Sequence, residues 1–561
     1  MKRLLSVLLL IAISNLSLVA QAPVFNKIWE KVYGGQKQET NDTHQIELLT
    51  DSNGNLFYGC TSRSSQISGN KLEPNCGFDT AKSTDFWFLK LDSNGDKIWE
   101  QTYGGKDNEE LIQVISDTHN GFFLYGMSNS KPACEKTTTR YSAKPDMWLM
   151  HVDNNGLPLW DKRYGNIYED YASSVTLTAD NNIIINGVGY DVGGDITDSI
   201  IGDIDGWIAK GDSVGNLIWN QRYGGTLWDG FNAVIPLSIS TYLLVGTTAS
   251  DIGGDVSTPW FSPIRLDNWL VKIDSMGNKI WDKRYGCFAA DDYPEATLLN
   301  SNGEVVIGSG LGLSGNLIPC NDGSPTDTSA RGSYDCWIYK IDTATGNILA
   351  DKRFGGNKSD DIIQIVEMPD KGYLLACISS SDAGFEKTEP RIGTSIYGWG
   401  DWWIVRMDSA FNILWDKTIG GDNEERSPSI IAIDDSTFII AGISYSDTGY
   451  YKQVPAYDTA TWIQSDVWIC KFAIANSNSI EEINAKSYNL FPNPAVDVVY
   501  ITPNIAAGKL LDIEVYDING SLVYSEHRNY TNTTIPIYVG ALRSGVYIVA
   551  VNGVRKKMIK M

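Results

Sequence analysis

The sequence predicts an all-β fold built from repeated sheets, and two observations support this prediction. The motif Asp-x-Trp opens a strand-like run seven times, at spacings of 59–68 residues, and self-similarity at such a period is typical of repeat architectures. The chain contains 53 Gly among 561 residues and almost no long stretch of 3.6-residue periodicity, which disfavours helices. The motif residues are Asp85, Trp87, Asp146, Trp148, Asp205, Trp207, Asp267, Trp269, Asp335, Trp337, Asp401, Trp403, Asp466 and Trp468.

Each repeat continues with the same elements, as the segment from Asp85 to Gly105 shows. The side chains alternate along the run that begins at Asp85, which indicates a half-buried strand. An Asp-x-x-Gly turn, a second strand with Trp99 and the sequence Tyr-Gly-Gly follow. Two more strand-like runs, separated by a Gly/Asn turn, precede each Asp-x-Trp. Four strands per unit, repeated radially, describe a β-propeller blade.

The two ends of the repeat region predict how the ring closes. An Asp stands five residues after the Trp in six units, whereas the seventh unit has Ala473 there and lacks a fourth strand. A spare fourth strand, Asn26 to Gly35, stands alone near the N-terminus. We therefore predict that it pairs with the strand Asp466 to Phe472 and closes a seven-bladed β-propeller. Such closure removes the exposed strand edges that promote aggregation.

Residues that recur in every blade are predicted to be structural, because a site for one ligand requires groups that the other blades lack. The seven Asp-x-Trp carboxylates are expected to accept backbone N–H bonds where the loop enters the third strand. The seven tryptophans are expected to fill the space between blades.

The N-terminus has the pattern of a secretory signal peptide: Lys2 and Arg3 precede the apolar run Leu4 to Ile13, and a small residue stands at Ala20. No second apolar run is long enough for a membrane-spanning helix. The 45 basic and 68 acidic side chains give a net charge of −23, which disfavours nucleic-acid binding. The predicted parts are a signal peptide over 1–20, the propeller over 21–473, a linker over 474–487 and a C-terminal domain over 488–561.

Eight cysteines in an exported chain make disulfides an expectation without fixing their pairing. Cys76 and Cys134 fall in equivalent loops of neighbouring blades. Three cysteines lie near the fifth blade: Cys287, Cys320 and Cys336. One disulfide among them and no disulfide there are equally expected. Three others lie inside strand-like runs and are predicted to be small buried core residues: Cys60, Cys377 and Cys470.

From Tyr488 onward, short alternating strands separated by turn residues predict a small β-sandwich. Four motifs follow one another there, formed by Phe491, Pro492, Asn493 and Pro494, by Tyr516, Asp517 and Gly520, by Gly545 and Tyr547, and by Lys556, Lys557 and Lys560. Together they closely resemble the C-terminal sorting domain of the type IX secretion (Por) system of Bacteroidetes. The resemblance implies that these residues form the sorting signal.

The resemblance also implies an export route. The chain would enter the periplasm, be recognised by the type IX machinery through this domain and cross the outer membrane, usually with removal of the domain. The expected location is the extracellular space or the outer-membrane surface, with attachment to lipopolysaccharide after processing in some family members. The repeat region resembles β-propeller repeats of Bacteroidetes surface proteins without assigned activity, which implies a fold and no chemistry.

One face of the predicted propeller carries long loops, of roughly 14 to 25 residues between the second strand and Asp-x-Trp. Loops of this length in a compact domain are often functional, so this is the predicted binding face. Exposed aromatic rings there could stack on sugars or form a protein hot spot, with packing inside the loops as the alternative. The candidates are Trp260, Phe261, Tyr397, Trp399, Trp402, Tyr450, Tyr451 and Trp462.

Acidic side chains gather on the same loops. Carboxylates with backbone carbonyls are the ligands that Ca²⁺ prefers, and the candidate ligands are Asp195, Asp198, Asp203 and Asp205. The segment Gly202 to Gly206 lacks the preceding Asp of a full calcium loop, because Ile201 stands there, so solvated Asx-turns are the alternative. No other cofactor is predicted.

The sequence favours a secreted or cell-surface binding or adhesion protein, with a glycan or protein ligand, over an enzyme. It contains no GxSxG, HExxH, P-loop or dinucleotide motif, and no catalytic residue is predicted. The alternative is a surface hydrolase or oxidoreductase that uses the loop-rich face. The segment Lys340 to Gly356 resembles repeats of pyrroloquinoline-quinone propellers, but these usually have eight blades and often adjacent cysteines, whereas this chain has seven repeats and none.

Overall fold

The computed structural model describes residues 24–40, 47–76, 83–261, 263–286, 291–312, 331–393, 398, 400–457, 465–475, 488–503, 510–518, 521–529, 534–551 and 554–561. The predicted signal peptide and the predicted linker beyond residue 475 lie outside these ranges. The chain divides into two compact units, Met1–Ile474 and Ala475–Met561. The regular elements of the described residues are all β-strands, and no helix among them could cross a membrane.

The first unit contains twenty-nine described strands. In chain order they are β1 (Val24–Tyr33), β2 (Glu39–Thr40), β3 (Leu49–Thr50), β4 (Leu56–Ser62), β5 (Asp85–Leu91), β6 (Lys97–Tyr103), β7 (Glu109–Ser116), β8 (Phe122–Ser128), β9 (Asp146–Val152), β10 (Pro158–Tyr164), β11 (Asp170–Leu177), β12 (Ile183–Gly189), β13 (Asp205–Gly211), β14 (Leu217–Tyr223), β15 (Asp229–Ser238), β16 (Thr241–Thr248), β17 (Asp267–Asp274), β18 (Lys279–Tyr285), β19 (Asp292–Leu299), β20 (Val305–Gly312), β21 (Tyr334–Ile341), β22 (Ile348–Phe354), β23 (Asp360–Glu367), β24 (Tyr373–Ser379), β25 (Asp401–Met407), β26 (Ile413–Ile419), β27 (Glu425–Ala432), β28 (Thr437–Ser444) and β29 (Asp466–Ala475).

These strands form seven sheets, here named I to VII in the order of the Asp-x-Trp motifs. Sheet I contains β2, β4, β5 and β6, with β3 paired to β4. Sheets II to VI each contain four consecutive strands: β7–β10, β11–β14, β15–β18, β19–β22 and β23–β26. Sheet VII contains β27, β28 and β29, and its fourth strand, beside β29, is the N-terminal strand β1.

The turn between the third and fourth strands follows from its Asp-x-x-Gly sequence. In sheet I, Asp92 Oδ1 accepts the backbone N–H groups of Asn94 and Asp96, both at 2.8 Å. Gly95 has φ +78°, a conformation that glycine adopts without a Cβ penalty. The first Asp makes the corresponding contacts in four more sheets, at Asp153, Asp212, Asp274 and Asp408.

The core lies between neighbouring sheets. The seven Asp-x-Trp indoles are fully buried, and one core cluster joins Trp87 of sheet I, Trp148 of sheet II and Val467 of sheet VII. A buried indole requires a partner for its N–H group. Trp148 Nε1 donates to Asp161 at 2.9 Å, and the indole N–H of sheet VI donates to a carboxylate in the same way.

A tyrosine at the end of the fourth strand links five of the seven sheets to the next, whereas Phe354 of sheet V and Ile419 of sheet VI stand at the equivalent positions. Tyr103 of sheet I donates its hydroxyl to the carbonyl oxygen of Gly156 in sheet II, at 2.6 Å. Tyr33 of β1 donates in the same way to the carbonyl of Gly95 in sheet I. The junction between sheet VII and sheet I therefore repeats a contact made between sheets that are consecutive in the chain.

The described cysteines form one disulfide and four free thiols. The disulfide joins Cys76 and Cys134, in the equivalent loops of sheets I and II. Cys336, one of the three cysteines near the fifth repeat, is a buried free thiol inside β21, and Cys287 and Cys320 lie outside the described residues. The remaining three cysteines are buried and free: Cys60, Cys377 and Cys470.

The second unit contains two antiparallel sheets. Their strands are β30 (Tyr488–Phe491), β31 (Val498–Pro503), β32 (Leu510–Asp517), β33 (Leu522–Asn529), β34 (Ile535–Tyr538), β35 (Gly545–Val551) and β36 (Val554–Lys560). One sheet has the order β30-β31-β34 and the other β33-β32-β35-β36. A single core cluster draws on both sheets, with Val499 and Ile537 from the first and Ile513, Val549 and Met558 from the second.

Candidate functional site

Each junction between neighbouring sheets holds two buried carboxyl groups. One belongs to Asp-x-Trp, and the other stands at the first strand of the following sheet. Asp85 of sheet I interacts directly with Glu109 of sheet II, and Asp466 of sheet VII interacts with Glu39 of sheet I. The second members form a sevenfold repeat that the sequence analysis missed: Glu39, Glu109, Asp170, Asp229, Asp292, Asp360 and Glu425.

The hydrogen bonds of these carboxylates are structural. The Asp-x-Trp member accepts a backbone N–H where the loop enters the third strand, as from Cys76 to Asp85 at 2.6 Å. In five junctions the second member accepts a glycine N–H and a serine hydroxyl, as Glu109 accepts from Gly105 at 2.8 Å and from Ser128 at 2.6 Å. Glu109 and its counterparts therefore hold the turn between sheets and are not free to bind a ligand.

The carboxyl pairs have shifted pKa values because they are buried beside one another. Burial first, and then the neighbouring Asp466, raise the pKa of Glu39 to about 8. The same two causes, burial and Asp401, raise the pKa of Glu425 to about 8. In the junction between sheets V and VI, a buried arginine pairs with one of the two carboxylates: Arg353 Nε donates to Asp335 at 2.9 Å.

The predicted calcium ligands do not come together. Asp195 accepts the backbone N–H of Gly165, Asp198 accepts that of Arg222, and Asp205 accepts that of Ile201. No group of three or more His, Cys, Asp or Glu side chains arranged for a metal ion occurs in the described part of the chain. Asp195, Asp198, Asp203 and Asp205 belong to no such group, and three of them accept backbone N–H groups instead.

The long loops fold back onto their own sheets. A one-bridge hairpin recurs in six of them, for example between Ala133 and Lys136. It places Lys136 Nζ 4.9 Å from the ring centroid of Trp148, within cation–π range. Lys387 lies over Trp403 in the same way, at 5.1 Å. The first part of each such loop is thus a support for the sheet.

The aromatic candidates do not form one patch. Trp402 is fully buried in β25 and stacks on Trp468 at 4.8 Å, so its assignment to the binding face is wrong. Tyr450 is 70% exposed at a hairpin turn, while Tyr451 is half-buried against Phe472. Trp260 and Phe261 are partly buried on another loop. The remaining candidates lie outside the described residues: Tyr397, Trp399 and Trp462.

A cleft of about 490 Å³ opens instead beside the first strands of sheets II and III, at the ends that receive the long loops. It is lined by Arg63, Glu110, Met127, Pro145 and Tyr171, together with Thr84, Asn108, Glu109 and Asn129. Its volume is within the range of small-molecule sites, and it combines apolar surface with a few polar groups, as such sites do. We call it the loop-side cleft.

A signal in the sequence could have located the loop-side cleft. The residue directly after each invariant buried acid varies between repeats, and two of these variable residues, Glu110 and Tyr171, line the cleft. Because alternate strand residues point to opposite faces, the variable position faces away from the carboxyl pair. The full set at this position is Thr40, Glu110, Tyr171, Gly230, Tyr293, Asp361 and Arg426.

A second, polar cavity of about 80 Å³ is lined by the first strands of sheets II to VII and by Glu47 of sheet I. Its polar lining includes Gln113, Ser174, Asn232, Glu295, Gln364 and Ser429. Gln364 Oε1 accepts the N–H of Ile430 at 2.6 Å, and its amide also bonds the Glu47 carboxylate. Burial and the nearby Asp361 raise the pKa of Glu295 to about 8. We call this the central cavity.

The predicted sorting residues lie in or beside strands β30, β32, β35 and β36 of the second unit. Asn493 Nδ2 donates to the carbonyl of Lys557, and Asn493 Oδ1 accepts the N–H of Ile559, both at 2.8 Å, so the Phe-Pro-Asn-Pro segment is held against β36. Tyr547 is buried and donates to the carbonyl of Arg543 at 2.9 Å. Asp517 Oδ1 accepts the N–H of Ser521, whereas Gly520 lies outside the described residues.

Residues 489–561 match the family described as secretion system C-terminal sorting domain. This part of the chain is therefore a sorting domain, as its motifs predicted. It implies export by the type IX system to the cell surface or the extracellular space, and interaction with that machinery. A search of curated proteins found no match to the chain.

Three solved structures match the chain with TM-scores below 0.5. A protein of unknown function from Dyadobacter fermentans has 9% identity and a TM-score of 0.37, covering 80% of this chain and 99% of that one. The WD40 domain of Neurospora crassa Pan2 has 10% identity and a TM-score of 0.31, covering 63% and 93%. A fungal alcohol oxidase of the AA5 family, in complex with copper, has 10% identity and a TM-score of 0.41, covering 96% and 100%. Such scores assign no activity to this chain.

Proposed function

We propose that the protein is a secreted or surface-attached seven-bladed β-propeller that binds a short glycan in the loop-side cleft. The signal peptide over 1–20 and the sorting domain, a β-sandwich, deliver it through the periplasm, and the sorting domain is then removed. The ring is supported by the junction between sheets VII and I, which carries a carboxyl pair like the other junctions and the same tyrosine link as four of them. It is also supported by the central cavity, which is lined by the first strands of sheets II to VII and by Glu47, just before β3 of sheet I.

The observation that carries the binding proposal is the composition of the loop-side cleft. Tyr171 and Met127 offer apolar surface on which a sugar ring can stack, while Arg63, Glu110 and Asn129 surround it with hydrogen-bonding groups. Tyr171 is held in place by its hydroxyl, which donates to Glu169 at 2.9 Å, and by Tyr190, whose ring centroid lies 6.2 Å away. A pre-formed aromatic surface loses little entropy on binding.

The test is a glycan array probed with the mature full-length protein and two variants. We expect binding to be weakened at least about tenfold by Tyr171→Ala. Tyr450→Ala is the matched control, because Tyr450 is exposed on a loop of sheet VII and does not line the cleft, and it should bind like the parent. Equal binding by all three proteins, or no binding by any, would contradict the proposal.

The export route has its own test. Mass spectrometry of cell-surface and medium fractions should detect a species without Met1 to Ala20 and without the region after about Ser487, and only in cells with a working type IX system. Retention of the intact C-terminus in the periplasm of both kinds of cell would exclude this route. Attachment to lipopolysaccharide would appear as a shift to higher mass of the surface-bound form.

A further inference from the structure

Two buried thiols meet at the junction between sheets V and VI. Cys336 is the middle residue of the Asp-x-Trp motif on β21, and Cys377 stands on β24, opposite Trp403 of its own sheet. Both are free thiols in the structure, fully buried, and members of one core cluster. The Cys336 side chain is hydrogen-bonded to that of Cys377. The two sulfur atoms are therefore neighbours in the folded protein.

The same two positions are in contact at other junctions. Between sheets IV and V, Asn268 Nδ2 donates to Ser309 Oγ at 3.0 Å, and Ser309 stands opposite Trp337 as Cys377 stands opposite Trp403. Between sheets I and II, Phe86 meets Gly126, where an added Cβ would lie 2.9 Å from the ring. The same match of a large side chain with glycine joins Met147 to Gly187 and Trp402 to Gly442. The contact between the two cysteines thus belongs to a repeated geometry of the ring.

The surroundings of the chain during export favour oxidation of such a pair. The sorting domain implies export from the cytoplasm, and disulfides form in oxidising compartments such as the bacterial periplasm. One bond between cysteines of neighbouring sheets, Cys76–Cys134, is already present. The junction between sheets V and VI also has Phe354 at the position of the tyrosine that links other sheets.

From these contacts we infer that Cys336 and Cys377 form a second disulfide, which joins sheet V to sheet VI in the exported protein. The two thiols lose two protons and two electrons as one S–S bond forms. The oxidant is the disulfide of a periplasmic thiol–disulfide oxidoreductase, which is reduced to two thiols. Exchange takes place before the junction closes, because burial, followed by the hydrogen bond to Cys377, raises the pKa of Cys336 and leaves little reactive thiolate. The inference rests on the export route and is independent of the ligand in the loop-side cleft.

Peptide mapping by mass spectrometry of the exported full-length protein tests the inference. The protein is denatured without reductant while iodoacetamide alkylates its free thiols, and it is then digested. We expect a cross-linked pair of peptides that contains Cys336 and Cys377 and is lighter by two hydrogen atoms than the two reduced peptides together. Cys60 is the matched control: it is equally buried and stands at the same position of sheet I, where it meets Val467, so it should be recovered alkylated.

Two further samples sharpen the result. A reductant added to the folded protein should convert Cys76 and Cys134 to thiols and leave the bond between Cys336 and Cys377 intact, because both of these residues are fully buried. In Cys377→Ala, Cys336 should be recovered alkylated. Recovery of Cys336 and Cys377 as alkylated thiols from the exported parent, or loss of their bond under reductant in the folded state, would overturn the inference. If Cys76 and Cys134 are joined in that parent sample, the export route stands and this inference alone fails.

Discussion

The tryptophan of Asp-x-Trp is held on three sides. In sheet II the ring of Trp148 packs against Phe86 of sheet I, with centroids 4.9 Å apart, and Lys136 covers its face. Its N–H donates to Asp161. Removing the ring therefore leaves a cavity between two sheets and a buried carboxylate with one hydrogen bond fewer.

Trp148→Ala should lower the free energy of unfolding by about 3 to 5 kcal/mol, as is usual for a buried tryptophan. Urea denaturation followed by fluorescence measures this. Trp228→Ala serves as the control, because Trp228 is 38% exposed, and it should cost less than about 1 kcal/mol. Similar losses for the two variants would show that Trp148 does not have the packing role described.

For single residues, the repeat predicted which side chains are structural better than it predicted which side chains line a binding surface. The Asp-x-Trp residues were predictable because all seven copies share one environment. Trp402 was misassigned because it is unique to one repeat, yet β25 is covered on both faces, so the residue beside Trp403 is buried too. Tyr171 was missed because it lies in strand β11, whereas the aromatic residues chosen as candidates were those that crowd the long loops.

Strand β1 is fixed to sheet VII by a side chain as well as by backbone pairing. Glu30 Oε2 accepts the indole N–H of Trp468 at 3.1 Å, and Glu30 Oε1 accepts the N–H of Gln453 at 3.1 Å. Lys27 forms an ion pair with the same carboxylate at 2.7 Å. One residue thus joins the N-terminal strand to β29 and to the loop before it.

Glu30→Ala should lower the free energy of unfolding by about 1 to 3 kcal/mol, because it leaves the buried indole N–H without an acceptor. Glu30→Gln keeps an acceptor at the same position and should lose less than half as much. Denaturant titration of the two variants measures both values. Equal losses would mean that the ion pair with Lys27, and not the bond to Trp468, carries the effect.

The disulfide connects the long loops of sheets I and II. Cys76 and Cys134 are 58 residues apart in the chain, so the bond removes considerable freedom from the unfolded state. The double variant Cys76→Ser, Cys134→Ser should lose about 4 kcal/mol in the chain-entropy treatment. Thermal unfolding with and without reductant checks this. Reductant should lower the midpoint of the parent protein and leave that of the double variant unchanged.

The carboxyl pairs make the stability of the whole molecule depend on pH. Glu39, Asp85 and Glu425 each have a pKa of about 8 when folded, against usual values of 4.5, 3.8 and 4.5. The folded protein therefore keeps protons that the unfolded chain has released. The contribution of these protons to the free energy of unfolding is fully present below about pH 4 and is lost as the pH rises towards 8.

We expect the unfolding midpoint to fall by at least about 5 °C between pH 5 and pH 8.5, measured by calorimetry at constant ionic strength. Glu425→Gln cannot ionise and should reduce this slope. Asp107→Asn, at an exposed acid, should leave it unchanged. A midpoint that rises over this range would show that the pairs are ionised and compensated in the folded protein.

The all-β class and the pairing of β1 with β29 could be predicted for the whole molecule, because a missing strand at one end matched a spare strand at the other. The carboxyl pairs, the central cavity and the loop-side cleft could not. Each of them is formed by residues from different sheets, and a linear repeat indicates which residues are equivalent without indicating which ones face each other. The four proposed calcium ligands show the same limit, since proximity in sequence did not bring them together.

The pairing of β1 with β29 also sets an order of events in time. Chain delivery from the N-terminus presents β1 first, and sheet VII stays incomplete until the last strand of the unit arrives. The sorting domain comes immediately afterwards. Sheet VII therefore cannot be completed before β29 is delivered, and residues 489–561, the sorting domain, follow β29 in the chain.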